Sequence, residues 1–365
     1  MFLKIPKRGG RPSGRLAILV PTYRFDGLAR QALASAAALA SDEIAVFIAD
    51  NSENKQKHEF LGRLESLHAN VHTFCHDRNI GALDNWRFLL AASSLMYCLF
   101  VSDDDLFTAS FVESGLHQLE SDSDASAAAG TLLMTMSGNR IMVANRMRLE
   151  SSAYERCVNF RIGGGNSLPN SMARRRALDP FVRYQENHPL KASFFDWLMG
   201  YTLLAQGTYR TEDVGYYIYD ASNWEDAEQC WKSNAKFYVA AGLPEGFTWF
   251  HELYWAVEFV HFFLGQYSPV ADPRQRVDCA QHFYGDRMNV FRQLWNHPSA
   301  QASLGNFFSK NPGARSSVAA IVANDDALNP QVFKWFADLL AAFDGLIARA
   351  YGDFVTSSLE TATRR

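Results

Sequence analysis

The sequence predicts an α/β protein that begins as a doubly wound parallel sheet and ends in a mostly helical C-terminal region. Two observations lead to this fold class. Short apolar runs alternate with helical patterns over roughly residues 16–135, and helical periodicity dominates from about residue 225. Strands that alternate with helices are joined by crossover connections, which favour parallel pairing within one sheet.

Four strands are predicted in the N-terminal part, and each is a run of consecutive apolar residues. Such runs are typical of strands that are buried on both faces of a parallel sheet. The four runs are Leu16–Val20, Ile44–Ala49, Val71–Phe74 and Tyr97–Val101. Helical patterns separate or follow them over residues 27–40, 60–67, 82–94 and 107–119.

The middle of the chain has a mixed pattern. Alternation of apolar and polar residues predicts strands over 140–149 and 214–219, and a helix is predicted over 193–205. A glycine-rich stretch at 163–166 predicts a flexible loop.

Three long helices are predicted in the C-terminal region, over 247–265, 274–295 and 330–351. The last one carries an apolar stripe at helical spacing. The stripe comprises Val332, Phe333, Phe336, Leu339, Leu340, Phe343 and Ile347. A stripe of this kind predicts burial in the core or contact with a second copy of the chain, and attachment to a membrane surface is the alternative.

Composition excludes several classes of protein. The chain has 365 residues, of which 48% are hydrophobic and 20% charged, so it is globular rather than disordered. Its formal charge of −4 provides no basic excess for nucleic-acid binding. Five scattered cysteines without CxxC spacing argue against a disulfide framework or a zinc site and favour a reducing cytoplasm.

The chain shows no apolar run of the ~20 residues that a spanning helix needs. Residues 1–14 are predicted to form a basic arm, because lysine and arginine replace the apolar core of a signal peptide. This arm is either a frayed terminus or a weak attachment to an anionic membrane surface. We therefore expect a cytoplasmic protein, with peripheral contact at the inner face of the membrane as an addition to that expectation.

Polar residues follow every predicted strand, and the carboxyl ends of parallel strands are where ligands bind in open α/β sheets. One polar strand end is an ordinary turn, but four on one edge indicate a site. The four clusters are Pro21–Arg24, Asp50–Ser52, His76–Gly81 and Ser102–Asp105.

Three adjacent carboxylates, Asp103, Asp104 and Asp105, are the most specific feature among these clusters. They repel one another unless a cation neutralises them, and their hard oxygen atoms suit Mg²⁺ or Mn²⁺. The alternative is a solvated cap for the following helix, whose N-terminus favours acidic side chains. Their place directly after a buried strand favours the metal site.

The ordered set of these motifs resembles the family-2 glycosyltransferases. The matching segments are Ile18–Tyr23, Ile48–Ser52, Arg78–Gly81 and Phe100–Asp105. The resemblance covers roughly residues 15–220 and implies a GT-A fold with a Rossmann-like mixed sheet. It implies a catalytic domain over 15–224, with a donor half to about 125 and an acceptor half after it, and a helical region over 225–365.

The resemblance also implies an activity. A sugar would move from a nucleotide-diphosphate donor to an acceptor hydroxyl with inversion at the anomeric carbon, and Mg²⁺ or Mn²⁺ would assist. The acceptor would be a saccharide or a lipid-linked saccharide, in bacterial surface polysaccharide such as O-antigen or capsule. Independently of the resemblance, the apolar stripe leaves a homo-oligomer through the C-terminal helices as one alternative.

Residue by residue, the resemblance implies a nucleoside pocket and a metal site. Pro21, Thr22 and Tyr23 would line the pocket, and Asp50 would accept a hydrogen bond from the base. Arg78 and Asn79 would lie near the base and the ribose. Asp103 would face the ribose or the metal, and Asp104 or Asp105 would bind the metal. Ser102 stands where the family's aspartate pair often begins, so the resemblance leaves open which two carboxylates are ligands.

Asp196 stands where the family carries its catalytic carboxylate. The family usually has two acids followed by an aromatic residue, and here Phe195 replaces the first acid. Aromatic neighbours would desolvate Asp196 and raise its pKa, which suits a general base; a helix-capping aspartate is the alternative. Asp220 would substitute for a histidine that some members use as a metal ligand.

Two further groups have open interpretations. Arg174–Arg176 form either a solvated basic patch or a phosphate contact. His251 and Glu252 lie either in a core helix or along an acceptor groove, because sugars stack on aromatic faces and Trp249 and Phe250 precede them.

Other functions fit less well. A non-catalytic nucleotide- or carbohydrate-binding module would keep the strand-end clusters without needing Asp196. A nucleotidyltransferase would want a glycine-rich phosphate loop after the first strand, where Pro21, Thr22 and Tyr23 stand instead. A nicotinamide-dependent dehydrogenase would need GxGxxG at the same place, and the motif is absent there.

Overall fold

Strands and helices alternate along the first third of the chain, as its apolar runs predict. The computed structural model describes residues 12–137, 140–143, 148–149, 151–162, 168–190 and 195–363. The first elements are β1 (Leu16–Thr22), α1 (Gly27–Ala37), β2 (Ile44–Asp50), α2 (Lys55–Leu67), β3 (Val71–Cys75), α3 (Ala82–Ala92), β4 (Tyr97–Phe100), β5 (Leu106–Phe107) and α4 (Ala109–Ser121).

The middle of the chain mixes strands, helices and short 3-10 turns. Its elements are β6 (Ala125–Met136), β7 (Arg140–Val143), β8 (Arg148–Leu149), α5 (Ala153–Ile162), β9 (Met172–Arg174), α6 (Asp179–Asn187), α7 (Phe195–Gln206) and β10 (Thr208–Asp220). Helices follow to the end of the described chain: α8 (Ala227–Ala240), α9 (His251–Leu264), α10 (Pro273–Trp295), α11 (Pro298–Lys310), α12 (Pro312–Val322), α13 (Gln331–Ala341) and α14 (Gly345–Thr363).

Ten strands of the described residues form one mixed sheet. Its order is β3-β2-β1-β4-β9-β6-β10-β5, with β7 added to β6 and β8 to β10. The neighbours β3, β2, β1 and β4 run parallel, whereas β9 runs antiparallel to both β4 and β6. The predicted α/β class with a Rossmann-like mixed sheet is confirmed.

The central strands are apolar on both faces because helices cover both faces. In β1, the residues from Leu16 to Val20 have no exposed surface, and neither do Ile48 and Ala49 of β2. Helices α1 and α3 both pack against β1. A strand buried in this way can place only its end in solvent, so the polar chemistry of the sheet lies at the strand ends.

The chain divides into two units. The first holds the sheet and takes its described residues from 12–151, 168–179 and 207–225. The second is helical and takes its described residues from 152–162, 180–190, 195–206 and 226–363. The predicted boundary at 224/225 lies close to the end of the first unit, but α5, α7 and most of α6 group with the C-terminal helices. The predicted division into domains itself stays a prediction.

The second unit is built around α9. The residues from Leu253 to Phe263 are buried on every side of this helix, and α10 packs along it. A helix that is hydrophobic all round is typical of a buried core element. Aromatic rings supply much of this packing, as in the stacked pair Phe263 and Phe283, whose centroids lie 5.4 Å apart.

The C-terminal helix predicted over 330–351 is two helices, α13 and α14. The chain turns at residues 342–344, and the Asp344 carboxylate accepts hydrogen bonds from the backbone amides of Leu346 and Ile347. Such a cap starts a new helix, which the apolar stripe alone did not reveal. The part of the stripe on α13 is buried within the second unit, so core packing is the interpretation that holds for it.

Several sequence predictions fall outside the described residues. These are the basic arm up to residue 11, the glycine-rich loop at 163–166 and Phe194, which precedes the candidate base. Within the described residues, none of the helices combines the length and the apolar character needed to cross a membrane.

Candidate active site

The polar ends of β1, β2, β3 and β4 lie at one edge of the sheet in the first unit. The register pairs Thr22 of β1 with Asp50 of β2, and Asp50 in turn with Cys75 of β3. On the other side of β1, Leu19 pairs with Phe100, so the segment after β4 reaches the end of β1. The expectation that the four clusters share an edge is met.

Asp103 fastens the end of β1. Its Oδ2 accepts three hydrogen bonds of 2.8 Å each, from the Thr22 hydroxyl and from the backbone amides of Tyr23 and Arg24. Asp103 is buried, so this carboxylate holds the loop after β1 in one shape. Tyr23 is left 60% exposed and Pro21 half-buried, which leaves the Tyr23 ring accessible to a ligand.

Asp104 forms an ion pair with Arg24. Its Oδ2 lies 3.0 Å from Nη1 of Arg24, whose Nη2 in turn lies 2.8 Å from Oδ2 of Asp26. The Asp104 side chain is 23% exposed. Burial and the neighbouring Asp103 charge raise the pKa of Asp104, and Arg24 opposes that rise.

Asp105 is almost fully buried and faces Tyr217 of β10. The Tyr217 hydroxyl donates a 2.7 Å hydrogen bond to Oδ2 of Asp105. Oδ1 has no hydrogen-bond partner among the described residues. Burial raises the pKa of Asp105 to about 7, although the Tyr217 hydrogen bond favours the ionised form. An unpartnered buried carboxylate oxygen is the kind of atom that a cation or a proton would stabilise.

Asp220 lies at the end of β10, close to this group. β5 and β10 pair antiparallel, with Leu106 opposite Ile218, so Asp220 follows the paired part of β10 by two residues and Asp104 precedes that of β5 by two. The Asp220 charge raises the pKa of Asp104, as expected for neighbouring carboxylates. The suggestion that Asp220 joins the acidic group as a metal ligand stays a prediction.

The three aspartates do not converge on one point. Asp103 faces β1, Asp104 faces Arg24 and Asp105 faces Tyr217, so the set expected from the sequence is divided among three neighbours. Only Asp104 combines partial exposure with a carboxylate that is not enclosed by hydrogen bonds. Asp104 is the accessible carboxylate to which a divalent cation could bind, and the unpartnered oxygen of Asp105 is the second candidate ligand, so the metal site stays a prediction.

Asp50 is engaged entirely by its own protein. Its Oδ1 lies 2.8 Å from Nζ of Lys57, and its Oδ2 lies 3.1 Å from Nε2 of His58. Ser52 adds hydrogen bonds from its hydroxyl and its amide. The Asp50 side chain has no exposed surface, so a contact with a base would require one of these partners to leave. That contact stays a prediction.

Three potential metal-ligand atoms lie close together, one each from Asp50, His58 and Cys75. The sequence analysis did not predict this group. The Lys57 ammonium beside Asp50 opposes a cation there. Burial raises the pKa of the Cys75 thiol to about 11, so the thiol is neutral when no metal is bound. We assign no metal to this group.

Asn79 shapes the loop after β3. Its Oδ1 accepts hydrogen bonds from Nδ2 of Asn51 at 2.7 Å and from the amide of Gly81 at 2.8 Å. Gly81 has φ of 85°, which suits a residue without Cβ. Arg78 is exposed at the same edge and has space to meet a ligand.

Two of the three consecutive arginines have structural roles that the sequence pattern did not indicate. Nε of Arg174 donates to the carbonyl of Ala125 at 2.6 Å, and Arg175 pairs with Asp179 at 2.8 Å. Arg176 is exposed. The alternative of a solvated basic patch therefore applies to Arg176 alone.

Asp196 lies in the second unit, in the first turn of α7, and is half-buried. Its chain neighbours Phe195 and Trp197 are also half-buried. Its role as a general base stays a prediction.

Sequence reasoning overlooked Arg24, Tyr217 and Lys57 as partners of the acidic residues. Arg24 directly follows the Pro21–Tyr23 motif, which was the available signal for it.

The fold resembles that of solved glycosyltransferases. Residues 1–349 of S. aureus TarS in complex with UDP-GlcNAc share 15% identity with this chain, with a TM-score of 0.50, and the match covers 96% of this chain and 92% of that one. A structure of the same TarS segment without that ligand in its description has 15% identity and a TM-score of 0.47, over 96% and 91% of the two chains.

The likeness to the UDP-GlcNAc complex concerns the fold alone: the chain has a GT-A-like glycosyltransferase fold, with C-terminal helices added to the mixed sheet. No model of a known protein family matches the sequence, and no curated protein matches it either. Membership of family 2 in particular therefore stays a prediction based on the motifs.

Proposed function

We propose that this protein is an inverting glycosyltransferase that uses a nucleotide-diphosphate sugar. The observation that carries the proposal is the group at the carboxyl edge of the sheet. There, Asp103 fixes the loop after β1, and the partly exposed Asp104 lies beside it. A fold shared with TarS, whose solved complex contains UDP-GlcNAc, supports a uridine nucleotide as the first donor to test.

Pro21, Thr22 and Tyr23 would line the nucleoside site, with Arg78 and Asn79 on its other side. Asp104, with Asp105, would hold Mg²⁺ or Mn²⁺. Such a cation, when bound, neutralises the negative charge that develops on the departing diphosphate. The Arg24 guanidinium lies 3.0 Å from Asp104, and it would pair with phosphate oxygens as guanidinium groups commonly do.

Asp196 would act as the base. Its carboxylate would take the proton of the acceptor hydroxyl while that oxygen forms a bond to the anomeric carbon. The bond from that carbon to the diphosphate oxygen would break, and its electron pair would leave with the nucleoside diphosphate. The acceptor class that the family resemblance suggests is a saccharide or lipid-linked saccharide of a bacterial surface polysaccharide, made in the cytoplasm or at the inner face of its membrane.

The donor site is tested by calorimetry with UDP and UDP-GlcNAc, in Mn²⁺ and in EDTA. We expect metal-dependent binding to the wild type. We expect binding to Asp104→Asn to be roughly tenfold weaker or more and indifferent to Mn²⁺, because a charged ligand group is lost. Asp42→Asn is the matched control, since Asp42 is exposed just before β2, at the opposite end of that strand. Unchanged metal-dependent binding by Asp104→Asn would refute the metal assignment.

The catalytic assignment is tested with Asp196→Asn, which keeps the shape of the side chain but cannot accept the proton. Sugar transfer should fall by about 10²- to 10⁴-fold, the usual loss for a general base, while UDP binding persists. The replacement of the first family acid by Phe195 supports a non-catalytic binding module as the alternative. Tight nucleotide binding without turnover by the wild type, with any donor, would favour that module.

A further inference from the structure

We infer that the second unit carries a binding site for a neutral sugar ring or polyol, built around Trp197. The inference rests on the proposed function, because such a ligand would be the acceptor. The site is defined by six side chains that come from four helices, and we call it the Trp197 cluster. Its members are Arg161, Trp197, Glu252, Trp255, Asp286 and Arg287.

Two tryptophans bring the helix beginnings of α7 and α9 together. The ring centroids of Trp197 and Trp255 lie 5.6 Å apart. Each ring has a guanidinium beside it, Arg161 at 5.5 Å from the centroid of Trp197 and Arg287 at 4.5 Å from that of Trp255. Asp196 directly precedes Trp197, and Glu252 lies in the first turn of α9. Two acids that the sequence singled out separately thus belong to one neighbourhood of the second unit.

Arg287 is already satisfied by the cluster. It is nearly buried, with Nη1 at 2.9 Å from Glu252 and Nη2 at 2.6 Å from Asp286. Glu252 and Asp286 keep part of their surface exposed, at 15% and 36% of their side chains. Each carboxylate therefore retains capacity to accept a hydrogen bond from outside.

Arg161 is not satisfied. Among the described residues its one ionic partner is Asp286, 3.4 Å from Nε, and that nitrogen makes no hydrogen bond. The Arg161 side chain is 27% exposed over the half-buried Trp197. A guanidinium has five N–H donors, so Arg161 presents several donors that no described residue accepts.

A second unsatisfied donor faces the same cluster. The Tyr201 hydroxyl has no hydrogen-bond partner among the described residues, and the side chain is fully buried. The Tyr201 ring lies beside the cluster, with its centroid 5.9 Å from that of Trp197. A buried hydroxyl without a partner is costly, so a ligand or an ordered water that accepted its hydrogen bond would stabilise this part of the second unit.

Charge and shape select the ligand. The charges of the two guanidinium groups and the two carboxylates sum to zero. An anion would therefore be repelled by the two acids, and a cation by the two arginines. A neutral ring with several hydroxyl groups can donate to Glu252 and Asp286 and accept from Arg161. Its C–H face can pack on the accessible part of Trp197, as apolar faces pack on aromatic rings.

The test uses the full chain and saturation-transfer NMR with methyl glycosides of neutral hexoses and N-acetylhexosamines. Glucuronic acid and glucosamine serve as charged probes. Arg161→Ala and Glu252→Gln are the chosen variants because neither side chain is fully buried, whereas Arg287→Ala would leave two carboxylates unpaired in the core. Arg315→Ala, an exposed arginine of α12, is the matched control. UDP binding is measured in parallel on every variant.

We expect at least one neutral glycoside to bind the wild type and to bind Arg161→Ala roughly tenfold more weakly or worse, the loss typical of a hydrogen bond to a charged group. UDP binding should be unchanged. The inference is overturned by absence of binding to all neutral glycosides, by binding to Arg161→Ala and Glu252→Gln that is as tight as binding to the wild type, or by preference for a charged probe. If the wild type does not bind UDP, the proposed function is overturned, whereas the inferred sugar site is not affected.

Discussion

Asp50 and Lys57 form an ion pair in which neither side chain has any exposed surface. Removing two charges from water is expensive, and the pair is maintained because each charge offsets the other and because His58 and Ser52 complete the oxygen partners of Asp50. The pair ties the end of β2 to the first turn of α2. Asp50 therefore orders the edge on which the candidate donor site lies, whatever ligand that edge binds.

Asp50→Ala should lower the free energy of unfolding by about 3–5 kcal/mol, because it leaves the Lys57 ammonium buried without a counter-charge. Urea unfolding followed by fluorescence measures this. The double variant Asp50→Ala with Lys57→Met should recover most of the loss, since it removes the stranded charge. A single variant that unfolds like the wild type but binds UDP weakly would restore direct base contact as the role of Asp50.

At the level of residues, the sequence could indicate which positions are polar but not which partners they choose. Asp103 and Asp50 both follow apolar strands and look alike in the sequence. Asp103 accepts hydrogen bonds from backbone amides of the loop after β1, whereas Asp50 pairs with Lys57, seven residues later in the chain. Lysine on a helix is normally solvated, so the burial of Lys57 depends on tertiary packing that no local pattern encodes.

β10 is the element that connects the acidic group to the rest of the sheet. Its pairing with β6 shifts register between Thr211 and Tyr216, and Gly215 lies within that irregularity with φ of 73°. A Cβ on Gly215 would lie 2.1 Å from the backbone nitrogen of Phe111 in α4. The close approach lets the second half of β10 reach past α4 and deliver Tyr217 to Asp105.

Gly215→Ala should reduce the free energy of unfolding by at least about 2 kcal/mol, because it combines an unfavourable backbone conformation with a backbone clash. It should also disturb the Tyr217–Asp105 contact and weaken metal-dependent UDP binding. Gly62→Ala is the control: Gly62 lies in α2 with open space around it, so alanine should stabilise there by ~0.5–1 kcal/mol. Equal unfolding midpoints for Gly215→Ala and the wild type would contradict this account.

At the level of elements, the continuous apolar runs predicted the strands β1 to β4, because burial on both faces of a sheet selects apolar residues at consecutive positions. The short strands β5, β8 and β9 have two or three residues each, too few to show a period. They pair across long sequence separations, as β9 does between β4 and β6. The break between α13 and α14 escaped prediction because the apolar spacing continues through it.

Within the second unit, a polar network lies inside an aromatic core. The Glu258 carboxylate of α9 lies 2.7 Å from Nε2 of His188 and also receives the Tyr184 hydroxyl. His261, one turn further along α9, accepts or donates at Nδ1 to Tyr184 at 3.0 Å and has no exposed surface. Burial lowers the pKa of His261 to about 3, despite the nearby Glu258 charge.

This network predicts acid sensitivity. In the unfolded chain His261 binds a proton near pH 6.5, whereas in the folded protein it stays neutral down to about pH 3. Its contribution to stability is therefore complete above pH 6.5 and declines as the pH falls, by up to about 1.4 kcal/mol per pH unit. Urea unfolding between pH 6.5 and 5 measures how steeply the free energy of unfolding changes with pH. In His261→Gln this pH dependence should be smaller, by the amount that corresponds to about one proton.

His117→Gln is the control for the pH series, since His117 is exposed on α4 and should leave the slope unchanged. An unaltered slope in His261→Gln would mean that the histidine is protonated in the folded protein.

At the level of the whole molecule, composition predicted a globular chain with a large core. It did not predict that α5 and α7 group with the C-terminal helices, because that grouping depends on contacts between distant segments.

Arg24 makes the candidate metal position a site of competition. Its guanidinium is bound covalently to the loop that Asp103 fixes, so it acts as a counter-ion at high effective concentration beside Asp104. A divalent cation that binds Asp104 must displace this tethered ligand, and its apparent affinity equals its intrinsic affinity multiplied by the fraction of molecules in which Arg24 has moved away. A diphosphate, by giving the guanidinium a new partner, would raise that fraction. Cation and nucleotide would then bind cooperatively through a single arginine.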